Sequence, residues 1–142
     1  MSRMLIRRLA SGDEALLETA VRALRGEGGA DHAAFLADPA TLALLAVGEG
    51  GEVLGWAWGV RQRHIAGYSQ VQLYGVAVAE TSRRRGVGRA LVGEFLATVR
   101  AEGHAKMWLF TSEGNEAAKA LYASLGGGPS GDSHATYWWS PA

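Results

Sequence analysis

Apolar residues recur in short blocks separated by glycine-rich or charged breaks, and the spacing inside each block assigns an element. Met4 to Leu9 is a short apolar run ended by Ala10-Ser11-Gly12-Asp13, which predicts a first strand. Leu16, Leu17, Ala20, Val21 and Leu24 then keep helical spacing, with Ser11 or Asp13 placed to cap the helix. Gly26-Glu27-Gly28-Gly29 stops it and predicts a mobile loop, and Asp31 to Leu36 reads as a second, short helix closed by Asp38-Pro39. Thr41 to Val47 is a strand. Glu49-Gly50-Gly51-Glu52 is a hairpin signal, so Val53 to Val60 runs back antiparallel with Trp56 and Trp58 on one face. Arg61 to Gly67 is a polar loop, and Gln70 to Val78 is a long central strand.

The second half follows the same logic. Gly86 to Glu102 is the main helix, turning Leu91, Val92, Phe95, Leu96 and Val99 inward and ending at Gly103. Met107 to Phe110 predicts a strand, Asn115 to Leu125 a helix stopped by Gly126 to Gly128, and His134 to Trp139 a final strand. No repeat, low-complexity segment or linker interrupts this order. The expectation is one α/β domain over residues 1–142, ordered β-α-α-β-β-β-α-β-α-β.

Candidate chemistry concentrates at one junction. Arg83-Arg84-Arg85-Gly86-Val87-Gly88-Arg89-Ala90 lies between the apolar run Leu73 to Val78 and the main helix. A helix N-terminus leaves its first N–H groups without intrahelical partners and carries partial positive charge. Glycines let backbone approach a ligand closely, and arginines add counter-charge, so this stretch is a candidate phosphate cradle. The competing reading is a solvated run of charge.

Bulk composition narrows the ligand. The 142 residues carry 14 basic and 14 acidic side chains, a formal net charge of zero. No global field draws the chain to nucleic acid or an anionic membrane, and a local basic cluster suits a small anion better than a duplex. There is no cysteine, which removes disulfides, thiolate nucleophiles and Cys-based metal sites. The N-terminal residues lack a signal-peptide core and no apolar run reaches about 18 residues, so a cytoplasmic location is expected. His32, His64, His104 and His134 show no metal-ligand spacing and read as structural or surface residues, and no metal is expected.

The element order and the glycine turn after the fourth strand resemble the GNAT superfamily of acetyl-CoA-dependent N-acetyltransferases. Arg83-x-x-Gly86-x-Gly88 fits that family's pyrophosphate loop, and Asn115-x-x-Ala118-x-x-Leu121-Tyr122-x-x-x-Gly126 fits its asparagine-to-tyrosine helix signature. The resemblance implies the GNAT fold, with a mixed, mostly antiparallel sheet flanked by helices, and acetyl-CoA as cosubstrate. It places the coenzyme A pyrophosphate on Arg83, Arg84, Arg85, Gly86, Val87, Gly88 and Arg89. It also implies that backbone atoms of Val76, Ala77 and Val78 pair with the pantetheine arm and that Asn115 contacts the arm from the other side. Tyr122 falls where the family has its general acid, although a tyrosine on a helix also serves as core filler. With no cysteine for a covalent intermediate, direct attack by the amine is the simpler mechanism.

Two departures concern the acceptor end. Acidic residues often found on the fourth strand of related enzymes are replaced by Gln72, Gly75 and Ala77, and a glutamate of the ribosomal-protein enzymes by Phe110. Either a water relay takes the amine proton or a base comes from Glu113, His64 or Asp132. Tyr74-Gly75-Val76-Ala77-Val78 is similar to the Tyr-Asp-Leu-Ala-Val pattern of small aminoglycoside 3-N-acetyltransferases, with Gly75 in place of the aspartate. That resemblance implies a small amine such as an aminoglycoside, an antibiotic-resistance role, and carboxylates from Glu27, Asp31, Asp38, Glu113 and Asp132 around a cationic acceptor. The alternatives are a protein N-terminus or lysine as acceptor, or an acyl-CoA-binding module without catalysis. The five tryptophans read as core or interface, and Trp138 and Trp139 as a homodimer contact.

Overall fold

The computed structural model describes residues 3–29, 31–131 and 135–141. Strands β1 (Met4–Arg8), β2 (Thr41–Gly48), β3 (Val53–Arg63) and β4 (Ser69–Val78) pair antiparallel in chain order, and β5 (Lys106–Trp108) joins β4 in parallel. Helices α1 (Glu14–Arg25) and α2 (His32–Ala37) follow β1, α3 (Val87–Ala101) links β4 to β5, and α4 (Glu116–Ser124) follows β5. The Gly50-Gly51 hairpin forms as expected, with Gly51 at φ 82° and Gly48 N–H donating to Glu52 O at 2.9 Å. Among the described residues no helix is long and apolar enough to cross a membrane.

Each face of the sheet carries its own core. On one, Leu42, Leu44, Ala57, Val71 and Leu73 meet Val87, Leu91, Val92, Phe95 and Val99 of α3. On the other, Ala43 and Leu45 meet Leu17 and Ala20 of α1 and Leu36 of α2, with Trp56 and Trp58 packed alongside. Strand β3 alternates small and large residues for this reason. Gly55, Ala57 and Gly59 lie under α3, and Trp56 and Trp58 stand on the opposite face. A Cβ at Gly59 would fall 2.2 Å from the Gln72 carbonyl oxygen and 2.9 Å from Phe95 Cζ, so only glycine fits beneath that ring.

Three expectations are corrected. Asp13 is the N-cap residue of α1, but its side chain does not cap. It turns back to accept from Ala10 N–H at 2.9 Å and Arg7 Nη2 at 2.5 Å, which holds its carboxyl below the usual range. Strand β3 runs three residues past Val60 because Arg61 is fixed. Its Nη1 donates to Pro39 O and Thr41 O, and its Nε and Nη2 donate to Glu102. Arg61 and His104 together hold the Glu102 carboxyl down to about 2, tying the sheet to the end of α3. Finally, residues 135–141 form no strand. Tyr137, Trp138 and Trp139 are consecutive aromatics without two-residue alternation, and all three are exposed. His134, the expected first residue of that strand, lies outside the described residues, as does Asp132.

Candidate active site

The site begins where the sheet stops being regular. Along β4, pairing with β3 runs Leu73 to Gly59 and then Gly75 to Trp58, so Tyr74 is an extra residue with no partner. Such a bulge reverses the alternation of side chains beyond it. Val71 and Leu73 face α3 before the bulge, and Val76 and Val78 face α3 after it. Pairing with β5 ends at the same level. Its last pair is Gln72 with Trp108, although β4 continues to Val78. Among the described residues no strand pairs with the β5-side edge of residues 73–78, which leaves a row of backbone donors and acceptors, apart from the Val78 oxygen that an arginine reaches, of the kind an extended ligand adds to. At the parting point the Trp108 indole N–H is buried with no partner among the described residues. A buried donor left unpaired is costly, so a ligand acceptor there is the simplest account of it.

Strand β4 delivers the chain to the arginine loop. A single 3₁₀ turn at Glu80–Ser82 precedes Arg83, whose Nε donates to Val78 O at 3.4 Å. Arg84 has φ 64°, the one non-glycine residue with positive φ among those described. Gly86, at φ 79° and ψ 10°, caps α3, and the first intrahelical acceptor is its own carbonyl, taken by Ala90 N–H at 3.0 Å. The N–H groups of Val87, Gly88 and Arg89 therefore precede the hydrogen-bond ladder of α3. No carboxylate among the described residues pairs with Arg83, Arg84, Arg85 or Arg89. Arg89 donates to Ser124 Oγ at 3.2 Å, linking the loop to α4. Gly88 needs neither a left-handed backbone nor extra room, since a Cβ there would make ordinary contacts of 3.6 Å with Val78 and 3.7 Å with Leu121. The fold does not demand that glycine; a ligand lying against the helix start would.

Asn115 and Tyr122 belong to α4. Asn115 caps the helix through Oδ1, which accepts from Ala118 N–H at 3.1 Å, and its amide NH2 has no partner among the described residues. Tyr122 is half-buried against the α3-side core, and burial pushes its phenol above the ordinary value. Its hydroxyl has no protein partner among the described residues and stays protonated through neutral pH.

On the other face lies an open cleft of about 530 Å³. Its floor is Gly75, Val76 and Ala77 of β4, and its walls are Leu24 and Arg25 of α1, Trp56, Trp58 and Tyr74. Trp58 is held between Tyr74, with ring centroids 4.7 Å apart, and Phe35 at 5.6 Å edge-on. A Cβ at Gly75 would sit 2.5 Å from Trp58 Nε1, so the indole occupies the space a larger residue at 75 would need. Residues 75–77 thus form the cleft floor while their outer edge is free, joining the two halves of the site.

The structure does not gather the expected carboxylates. Glu113 is 98% exposed and pairs with Lys119 at 3.1 Å. Asp31 caps α2, and Asp38 accepts from Ala40 N–H at 2.9 Å. Glu27 is exposed in the loop after α1. His64 closes its own turn by accepting from Ala66 N–H at 3.0 Å and stacks on Tyr68. None of these lines the cleft. Sequence reasoning missed Arg25 altogether and treated Trp56 and Trp58 as packing. The available signal was their two-residue spacing opposite Gly75, which leaves two large rings over a strand with little side-chain bulk.

A sheet that opens beside its fourth strand and feeds an arginine-rich loop at a helix start defines a class of enzymes that hold a phosphate-bearing cosubstrate. The sequence model of the Acetyltransferase (GNAT) family matches residues 14–126, and the chain belongs to that family. Over 57 residues, 40% of this chain and 38% of the other, it is 39% identical to the ribosomal protein bS18-alanine N-acetyltransferase of Escherichia coli strain K12. Over 84 residues, 58% of this chain and 25% of the other, it is 31% identical to the mycothiol acetyltransferase of Renibacterium salmoninarum. The matched stretch spans well under half the length of either curated relative. An aminoglycoside acetyltransferase from an uncultured soil metagenomic sample has the same fold, with a TM-score of 0.81 at 22% identity over 99% of both chains. The aminoglycoside N-acetyltransferase AAC(6')-Iy, solved in complex with CoA, gives 0.77 at 20% identity over 100% of this chain and 97% of that one. The GNAT fold expected from the sequence is the fold observed, apart from the last expected strand, which residues 135–141 do not form.

Proposed function

We propose that the chain is an acetyl-CoA-dependent N-acetyltransferase acting on a primary amine, with residues 1–142 working as one domain. The observation that carries this is the continuity of β4. The strand runs from the floor of the cleft, along an edge that β5 leaves unpaired, to Arg83, Arg84, Arg85 and Arg89, with which no carboxylate among the described residues pairs. Membership of the GNAT family and the CoA complex of a structural neighbour support the same reading.

In this mechanism the N–H groups of Val87, Gly88 and Arg89 and the arginine side chains hold the pyrophosphate. The edge of Val76 to Val78 and the free amide of Asn115 hold the pantetheine arm. The neutral amine attacks the thioester carbonyl carbon, a C–N bond forms, and the C–S bond breaks. The departing thiolate takes the Tyr122 proton, and water receives the proton lost by the amine, since no carboxylate or imidazole among the described residues lines the cleft. That same feature favours a second reading, acyl-CoA binding without turnover.

Thiol release from acetyl-CoA, followed over a panel of amino acids, aminoglycosides, polyamines and peptides, separates the two. Turnover with at least one amine is expected. Coenzyme A binding with no turnover across the whole panel would favour the binding module instead.

A further inference from the structure

Resting on the acetyl-transfer reading, we propose that the acceptor is a small amine carrying a carboxylate and a flat apolar group, as an aromatic α-amino acid does, and not a polycation. The cleft is of the size that takes small ligands. The polar side chains around it are all donors or weakly acidic. Arg25 contributes a guanidinium with no partner among the described residues, and Trp56 and Trp58 contribute indole N–H groups that are likewise unpaired. Tyr74, 63% exposed as a residue, adds a phenol. Among the described residues no carboxylate lines the cleft, and the acidic side chains expected there cap helices or turns, pair with lysine, or stand in solvent.

Donors and a cation select an anion, and two indoles with a tyrosine select a planar apolar body. A polycation meets the opposite arrangement, with a fixed like charge at Arg25 and nothing acidic among the described residues of the lining to neutralise it. Gly75 closes the obvious escape. An acidic side chain cannot be accommodated there while the Trp58 indole lies 2.5 Å from where its Cβ would be. Arg25 is the last residue of α1, so its side chain reaches the cleft from a regular helix. An acceptor carboxylate on Arg25 leaves the adjacent amine above Gly75 to Ala77, next to the free edge of β4.

The test compares kcat/KM for three probes of similar availability: L-phenylalanine, 2-phenylethylamine, which lacks the carboxylate, and kanamycin. Phenylalanine is expected to lead 2-phenylethylamine by about tenfold or more, with kanamycin lower still. Arg25→Glu is expected to cut the phenylalanine value about tenfold or more, to leave 2-phenylethylamine within about threefold, and to leave coenzyme A affinity unchanged. Equal or better turnover of 2-phenylethylamine or kanamycin, or an equal effect of Arg25→Glu on both monoamines, would overturn the substrate class while acetyl transfer stands. If no probe releases thiol, quenching of tryptophan fluorescence by phenylalanine in the presence of coenzyme A decides the matter. Quenching that Arg25→Glu abolishes sustains the carboxylate-selective cleft and counts against transfer; no quenching overturns the proposal.

Discussion

Gly86→Glu is expected to abolish coenzyme A binding, weakening it by about a thousandfold or more. Two costs add. Gly86 sits at φ 79°, where an L side chain costs about 1–2 kcal/mol. A carboxylate about 5 Å from a pyrophosphate charge adds roughly 3 kcal/mol of repulsion at an effective dielectric of about 20. Nothing lies within 4 Å of the position a Cβ would take, so the variant meets no clash, and the repulsion is the part of the loss that belongs to the ligand. Calorimetric titration of coenzyme A, with thermal unfolding as the folding control, checks this. Gly86→Ala isolates the backbone cost and is expected to weaken binding by only about tenfold. Affinity of Gly86→Glu within threefold of the parent would place the pyrophosphate elsewhere.

Tyr122→Phe is expected to lower kcat by about 100-fold, the lower range for a lost general acid, while coenzyme A affinity stays within about twofold. The hydroxyl has no protein partner among the described residues, so its removal breaks no internal hydrogen bond. Burial raises the phenol above its ordinary value of 10.0. The protonated acid is therefore present at all pH values below that raised value and lost as pH climbs through it. The parent rate should fall on that alkaline limb, and the phenylalanine variant should lack the limb. An unchanged kcat would reduce Tyr122 to a packing residue of α4.

Most of the architecture was legible in the residue pattern because periodicity reports which face an element buries. The inward set of α3, the Gly50-Gly51 hairpin and the alternation of Gly55, Trp56, Ala57, Trp58 and Gly59 are all local consequences of burial. The arginine loop was legible for a similar reason, since its glycines and charges are adjacent in sequence. What did not show was anything created by tertiary register. The bulge at Tyr74 arises from pairing with β3, and the parting of β4 from β5 after Gln72 shortened the fifth strand to three residues. Arg25 enters the cleft only because the end of α1 is brought to the same cleft as residues 74–77 of β4, and Trp58 excludes an acid from position 75 through space. Of the carboxylates that looked available in the sequence, Asp31 and Asp38 are committed to a cap and a turn, and Glu113 to a surface pair.

The proposed cosubstrate site rests on two segments well separated in their chemistry, a strand edge and a helix start. Amide hydrogen exchange with and without coenzyme A reads both at once. The predicted result is slowed exchange at Val76 to Val78 and at Gly86 to Arg89 together, saturating with one affinity, with β1 and β2 unchanged. Protection confined to other segments, or none at saturating coenzyme A, would contradict the assignment of this chain as an acetyl-CoA-dependent enzyme.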